Sequence, residues 1–307
     1  MKSLNEIKNN LFIGDALEVL STYPDECIDC IVTSPPYWNL RDYEVDNQLG
    51  LEPTPDEYIR KLGNITKEMK RVLRSTGSMW IVIADTYYGS TKRKVKKLMS
   101  PRSLTMIPSR LALELLQQDW IIVNKIIWKK PNIMPRPIKR RFIVDYEELF
   151  FCVKQEGYYF QTQYEDFVTP NLDKKKFKIG KKYQDENLIL EHSSMQSFFN
   201  RIGTGEVKGR LKRAVWTIAT SHNKSFHKAP YPEKLIEPIL AACCPEGGLV
   251  LDPFMGTGTT AIVALKQGKY YTGIDLDEKA IEYANTQILK YSKRDERDLI
   301  HKYSSHK

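Results

Sequence analysis

Apolar and polar positions follow two rhythms along the chain: short solid apolar runs, and longer stretches with an apolar stripe at helical spacing. Ile28–Thr33 is a short apolar run ending in Ser-Pro-Pro, as a buried strand leading into a loop does. Thr54, Pro55 and Glu57 then supply an N-cap, a proline at the first helical position and a capping-box glutamate, which predicts a helix to about Arg74. Residues 78–84 read as the next strand, 108–118 as a helix and 120–128 as a strand. Further on, residues 232–244 place Leu235, Ile236, Ile239, Leu240 and Cys243 on one helical face. Leu249–Asp252 reads as a strand, 259–267 as a helix stopped by Gly268, Tyr270–Asp275 as a strand and 277–291 as a helix. Strands alternating with helices predict an α/β protein with a parallel sheet covered by helices. No internal repeat is present, and the chain from Ser292 reads as a flexible tail.

Composition narrows the class. Aromatic residues make up 11% of the 307, which excludes a disordered or fibrous chain. No run of about 18 apolar residues offers a membrane span. The polar first ten residues lack an apolar signal core, so the expected location is the cytoplasm. Five cysteines without repeating spacing make no disulfide framework. Cys27 and Cys30 form a lone C-x-x-C with no second ligand pair, so no metal site is expected.

The net charge of +9 points toward polyanions, and its distribution sharpens the hint. Residues 125–228 hold 21 Lys or Arg against 11 Asp or Glu, whereas the remainder holds 26 against 27. Pro131, Pro135 and Pro137 break the start of this segment and Gly203, Gly205 and Gly209 loosen its end, so it reads as an inserted, loop-rich basic module. Its basic runs are interleaved with Tyr158, Tyr159, Phe160, Tyr164, Phe198 and Phe199, a composition suited to nucleic acid. The candidate contacts are Arg136, Lys139, Arg140, Arg141, Lys174, Lys175, Lys176, Arg210 and Arg213, with Lys92 and Arg93 in a separate basic run. A solvated Lys-rich surface is the plainer alternative.

Two loops carry candidate chemistry. After the strand ending at Asp252 comes Pro253-Phe254-Met255-Gly256-Thr257-Gly258-Thr259, then a helix; the glycines permit φ > 0 and close approach of a ligand. Asp275, nineteen residues beyond Gly256 at the end of the next strand, stands where a carboxylate accepts from ribose hydroxyls. Together these point to an adenosine-bearing cofactor. Gly256, Gly258 and Ala261 also satisfy the loose dinucleotide pattern, so NAD stays open, and Asp275 alone reads equally as a helix N-cap. The second loop is Ser34-Pro35-Pro36-Tyr37-Trp38. Its prolines fix a rigid extended path that presents carbonyls and a hydroxyl beside aromatic faces, a receptor for an amino group on a flat heterocycle. A proline-stiffened turn with core aromatics is the alternative.

In their chain order, Ser34-Pro-Pro-Tyr37, Asp252-Pro-Phe-Met-Gly-Thr-Gly258 and Gly273-Ile-Asp275 resemble the motifs of the S-adenosylmethionine-dependent DNA amino-methyltransferases, specifically their circularly permuted β group. The resemblance covers nearly the whole chain. Gly14-Asp15-Ala16-Leu17-Glu18 and the stretch from His227 to Leu235 resemble further motifs of the group, while Arg41, Tyr43, Gly50-Leu51-Glu52 and Trp128-Lys129-Lys130 are similar to weaker positions. It implies a Rossmann-like doubly wound sheet with residues 1–130 as the catalytic half, 131–221 as a target recognition region, 222–292 as the cofactor-binding half and 293–307 as the tail. It implies catalytic roles for Ser34, Pro35, Pro36 and Tyr37. S-adenosyl-L-methionine is then the cofactor, with contacts at Asp15, Lys228, Pro232, Asp252, Pro253, Phe254, Gly256, Gly258, Thr259 and Asp275. Trp38 and Arg41 join the candidate contacts to double-stranded DNA. A tetrapeptide beginning with Ser implies transfer to cytosine N4, with adenine N6 as the alternative. The thiol that cytosine-C5 methylation needs is absent, because no cysteine follows a proline. A cognate restriction endonuclease is the partner the family implies, and a solitary modification enzyme fits equally. A nicotinamide oxidoreductase leaves Ser34-Pro-Pro-Tyr37 unexplained, and a non-catalytic DNA-binding protein leaves the glycine loop unexplained.

Overall fold

The computed structural model describes residues 1–89, 99–134, 137–165, 210–220 and 230–304. Residues 1–161 with 214–307 form one unit and 162–213 a second.

The first unit is built on one eight-stranded sheet. In chain order its elements are α1 (Leu4–Ile7), β1 (Asn10–Ile13), α2 (Ala16–Ser21), β2 (Ile28–Thr33), α3 (Pro55–Val72), β3 (Leu73–Ile83), α4 (Ile107–Gln117), β4 (Ile121–Lys129) and β5 (Tyr146–Val153). After the second unit, which contributes the short pair β6 (Tyr164–Glu165) and β7 (Arg210–Leu211), come β8 (Val215–Thr217), α5 (Glu233–Cys243), β9 (Leu249–Asp252), α6 (Thr259–Lys266), β10 (Tyr270–Asp275) and α7 (Glu278–Ser304). The strand order is β1-β10-β9-β2-β3-β5-β4-β8.

Local chemistry sets these boundaries. Thr54 caps α3, its Oγ1 accepting from Glu57 N at 3.1 Å, with Pro55 at the first position, Asp56 and Glu57 in the first turn and Lys70 and Arg71 in the last. The central strands are buried on both faces. Ile31 of β2, Met79 and Ile81 of β3 and Leu251 of β9 pack with α3 and α4, while Cys30, Val32, Trp80, Val82 and Val250 pack with α5 and α6. Such strands read as solid apolar runs, and this is why β2, β9 and β10 fall where hydropathy predicts.

Three expectations need correction. The sheet is mixed, since β5 lies antiparallel between β3 and β4. Residues 130–145 hold a proline-broken connection where a crossover helix would be needed, so the chain can only return antiparallel. The inserted unit is smaller than 131–221, because β5 and β8 belong to the sheet. Residues 162–213 hold 11 Lys or Arg against 7 Asp or Glu, so more than half of the basic surplus of 125–228 lies outside them. Finally, α7 runs on to Ser304 past the expected tail at Ser292. The Ser292 hydroxyl donates to the Ile288 carbonyl within the helix, and no Gly or Pro follows to stop it. No helix among the described residues is long and apolar enough to cross a membrane.

Candidate active site

Chain direction diverges at the middle of the sheet. From β9 the chain passes through α6 to β10 on one side, and from β2 through α3 to β3 on the other, although β9 and β2 are parallel neighbours. Ligands in open α/β sheets bind beyond the strand C-termini at such a switch point. The loops following β2 and β9 are the two that carry candidate chemistry, and both line one cavity of about 480 Å³.

Asp252 locks these loops together. Its fully buried carboxylate accepts from Thr33 Oγ1 at 2.6 Å, Phe254 N at 3.1 Å, Tyr231 Oη at 2.6 Å and Thr260 Oγ1 at 2.7 Å. Burial holds its carboxyl above the usual range, opposed by these four bonds. Asp252 therefore positions the site from beneath and does not line the cavity. The same is true of Gly258, which caps α6 at φ 82°. A Cβ there would stand 3.0 Å from Ala284 Cβ, so a close helix approach requires this glycine.

Gly256 and Asp275 do face the cavity. Asp275 accepts from Gly256 N at 2.7 Å and from Asp277 N at 3.0 Å, while Asp277 accepts from Lys279 N at 2.9 Å at the start of α7. Asp277, not Asp275, is thus the helix cap. Asp15, which caps α2 through Leu17 N and Glu18 N, lines the same region. Three carboxylates on the β1–β10 side suit hydroxyls and positive charge. A dinucleotide pyrophosphate would meet repulsion there, and the Gly256 amide it needs is already engaged by Asp275.

The Ser34 loop is equally built. Trp38 is fully buried and donates from Nε1 to the Glu52 carbonyl at 3.0 Å, so it anchors the loop and is no DNA contact. Gly50 N donates to Glu52 Oε2 at 2.9 Å, and Tyr58 Oη donates to the Pro36 carbonyl at 2.9 Å. Ser34 Oγ donates to Tyr37 Oη at 3.2 Å, and Tyr37 Oη donates to Glu147 Oε2 at 2.7 Å. Burial, and then the Glu147 charge, push the Tyr37 hydroxyl well above its ordinary range, so it stays a neutral donor. Lys130 pairs with the other Glu147 oxygen, the two side chains being only 16% and 15% exposed. Removing one partner strands the other, so Glu147→Gln is expected to cost about 3 kcal/mol in chemical denaturation. Adding Lys130→Met should recover part of that loss; simple additivity would show that the pair is not coupled.

Of the expected site residues, Asp15, Ser34, Pro35, Pro36, Tyr37, Arg41, Pro253, Phe254, Gly256, Thr259 and Asp275 line the cavity. Pro232 caps α5 and does not line the cavity. Lys139, Arg140 and Arg141 are exposed on the β4–β5 connection. Arg210 and Arg213, in the second unit, both pair with Glu165. Lys92, Arg93, Arg136, Lys174, Lys175, Lys176 and Lys228 lie outside the described residues. Glu147, Asp277 and Tyr231 were not anticipated as site residues. Tyr231 lies within the stretch from His227 to Leu235 and Asp277 two residues past Asp275, but Glu147 stands 110 residues from its partner Tyr37 and has no local signal. All five cysteines are buried away from the cavity, with the Cys243 and Cys244 thiols pushed up to about 12 by burial.

Comparison with known proteins places this architecture. The model of a DNA methylase family, the N6/N4 methyltransferases, matches residues 28–286. The chain is 33% identical over 295 residues to the type II methyltransferase M.Cfr9I of Citrobacter freundii, covering 91% of this chain and 87% of the relative. It is 30% identical over 299 residues to M.SmaI of Serratia marcescens, covering 91% and 90%. Among solved structures, the PvuII cytosine-N4-specific DNA methyltransferase superposes with a TM-score of 0.63 at 16% identity, covering 94% of this chain and 92% of that one. A putative DNA modification methylase from Thermus thermophilus, solved with S-adenosyl-L-methionine, gives 0.58 at 23% identity, covering 92% and 94%. With the family model spanning most of the sheet and both cavity loops, the chain belongs to the N6/N4 DNA methylase family.

Proposed function

We propose that this chain transfers a methyl group from S-adenosyl-L-methionine to the exocyclic N4 amine of a flipped cytosine in double-stranded DNA, as the modification enzyme of a type II restriction–modification system. The observation that carries this reading is the convergence of Ser34 and the Gly256–Asp275 pair on one cavity at the switch point.

The residues present fit the cofactor. Asp275 and Asp15 suit its ribose and its positive charge, and Phe254 and Pro253 supply apolar surface. When bound, the cofactor supplies an electrophilic methyl group on a sulfonium. The remaining work falls to the chain. An exocyclic amine is a poor nucleophile because its lone pair is delocalised into the ring. Ser34 donates its one hydroxyl proton toward Tyr37, which directs its lone pairs to accept from such an amine. With the Pro35 carbonyl as a second acceptor, the amine is turned toward the cofactor side of the cavity, and positioning supplies much of the rate. Extrusion of the base costs a few kcal/mol, offset in part by contact with the Tyr37 ring. The serine that opens the tetrapeptide supports cytosine.

Incubation with labelled S-adenosylmethionine and mixed-sequence DNA, followed by digestion to nucleosides, tests this. N4-methylcytosine is the expected product, N6-methyladenine would move the assignment to the other amine, and no transfer to any DNA would overturn it.

A further inference from the structure

The β4–β5 connection, residues 130–145, starts at the rim of the cavity, which is lined by Lys130, its first residue, and by Glu147 near the start of β5. Its base is held firmly. Lys130 N donates to the Asp145 carbonyl at 2.7 Å, and Asn132 exchanges hydrogen bonds with Thr220, donating from Nδ2 at 3.1 Å and accepting at Oδ1 from Thr220 N at 2.9 Å. The Arg141 guanidinium lies 3.6 Å from the centre of the Tyr87 ring, and Tyr87 is itself bridged to Leu104.

On this anchored loop the Phe142 side chain is 97% exposed. An aromatic ring left in water forgoes about 2 kcal/mol of burial, which insertion into an apolar partner would recover. Its surroundings narrow the occupant. Lys139, Arg140 and Arg141 are exposed beside it, and residues 131–144 contain four Lys or Arg and no Asp or Glu. Three cations running up to a bare ring, with the exposed Ile143 and Val144 after it, match a partner with an anionic rim and a stacked apolar interior, which is the cross-section of a DNA duplex.

We infer that Phe142 enters the base stack of the bound duplex and fills the space that the flipped target base leaves, while Lys139 and Arg140 hold the adjoining phosphates. The inference rests on the methyl-transfer reading and extends it to the extrusion step. Because Phe142 is exposed, its truncation leaves the folded protein intact. The test uses the sequence that the wild-type chain methylates, made once as a fully paired duplex and once with the target opposite an abasic site, where extrusion is already easy. Phe142→Ala should lower turnover by about tenfold or more on the paired duplex and by less than about threefold on the abasic one, while Phe142→Trp keeps both rates. The fluorescence rise of 2-aminopurine placed beside the target should be lost in Phe142→Ala. Equal loss on both duplexes, or no loss on either, overturns the inference and leaves methyl transfer standing. A wild-type chain that methylates no DNA overturns both.

Discussion

Asp252→Ala should lower the thermal unfolding midpoint by roughly 5–10 °C, corresponding to about 3–5 kcal/mol, although the residue does not line the cavity. The cost arises from the donors left behind. Thr33, Tyr231 and Thr260 hydroxyls and the Phe254 amide all point at this one buried carboxylate. Asp252→Asn separates geometry from charge, because an amide can replace one acceptor and turn its NH2 toward a hydroxyl. Its pH dependence has a definite sign. Burial raises the folded pKa of Asp252 above the unfolded value, so its contribution is fully present below the ordinary carboxylate range and is lost as pH rises through the raised value. The advantage of wild type over Asp252→Asn should therefore shrink as pH rises across that window in denaturant titrations. A gap that widens with pH would refute the assignment.

Ser34→Ala should lower turnover by about 100-fold while affinity for S-adenosylmethionine stays near wild type. Asp275→Ala should do the reverse, weakening cofactor binding by about tenfold or more through the lost ribose acceptor and the released Gly256 amide. Calorimetric titration of the cofactor alongside single-turnover methylation separates the two roles. An equal loss of cofactor affinity in both variants would contradict them. Asp275→Asn, which keeps an acceptor for Gly256 N, should fall between.

What could be read from the chain alone was whatever its immediate neighbours determine. The glycine loop and the Ser-Pro-Pro-Tyr loop owe their shape to residues a few positions away, and they sit at strand ends as hydropathy predicts. Residues defined by distant partners carry no such local signal. Trp38 beside the Ser-Pro-Pro-Tyr tetrapeptide suggests an exposed face, whereas its indole closes onto Glu52. Asp252 beside the glycine loop suggested a ligand contact, whereas its partners come from three other segments. Strand β5 was overlooked although Leu149–Val153 is a solid apolar run, because the proline-broken basic stretch before it masked the return to the sheet. The mixed sheet follows from that omission, and the smaller inserted unit from it together with the unrecognised β8.

The placement of β9 and β10 between β1 and β2 bears on how the protein is made. β1 and β2 are synthesised well before their partners, since the gap between them is filled only by strands some 220 residues later, as the Thr33–Asp252 bond shows. At roughly 5–20 residues per second, the nascent chain carries an open sheet for roughly 10–45 s, with β1 and β2 each presenting an unpaired edge. Until β9 and β10 arrive, Gly256 and Asp275 do not exist beside Ser34. Chains that stop before β9 therefore lack the loops that supply one side of the cavity.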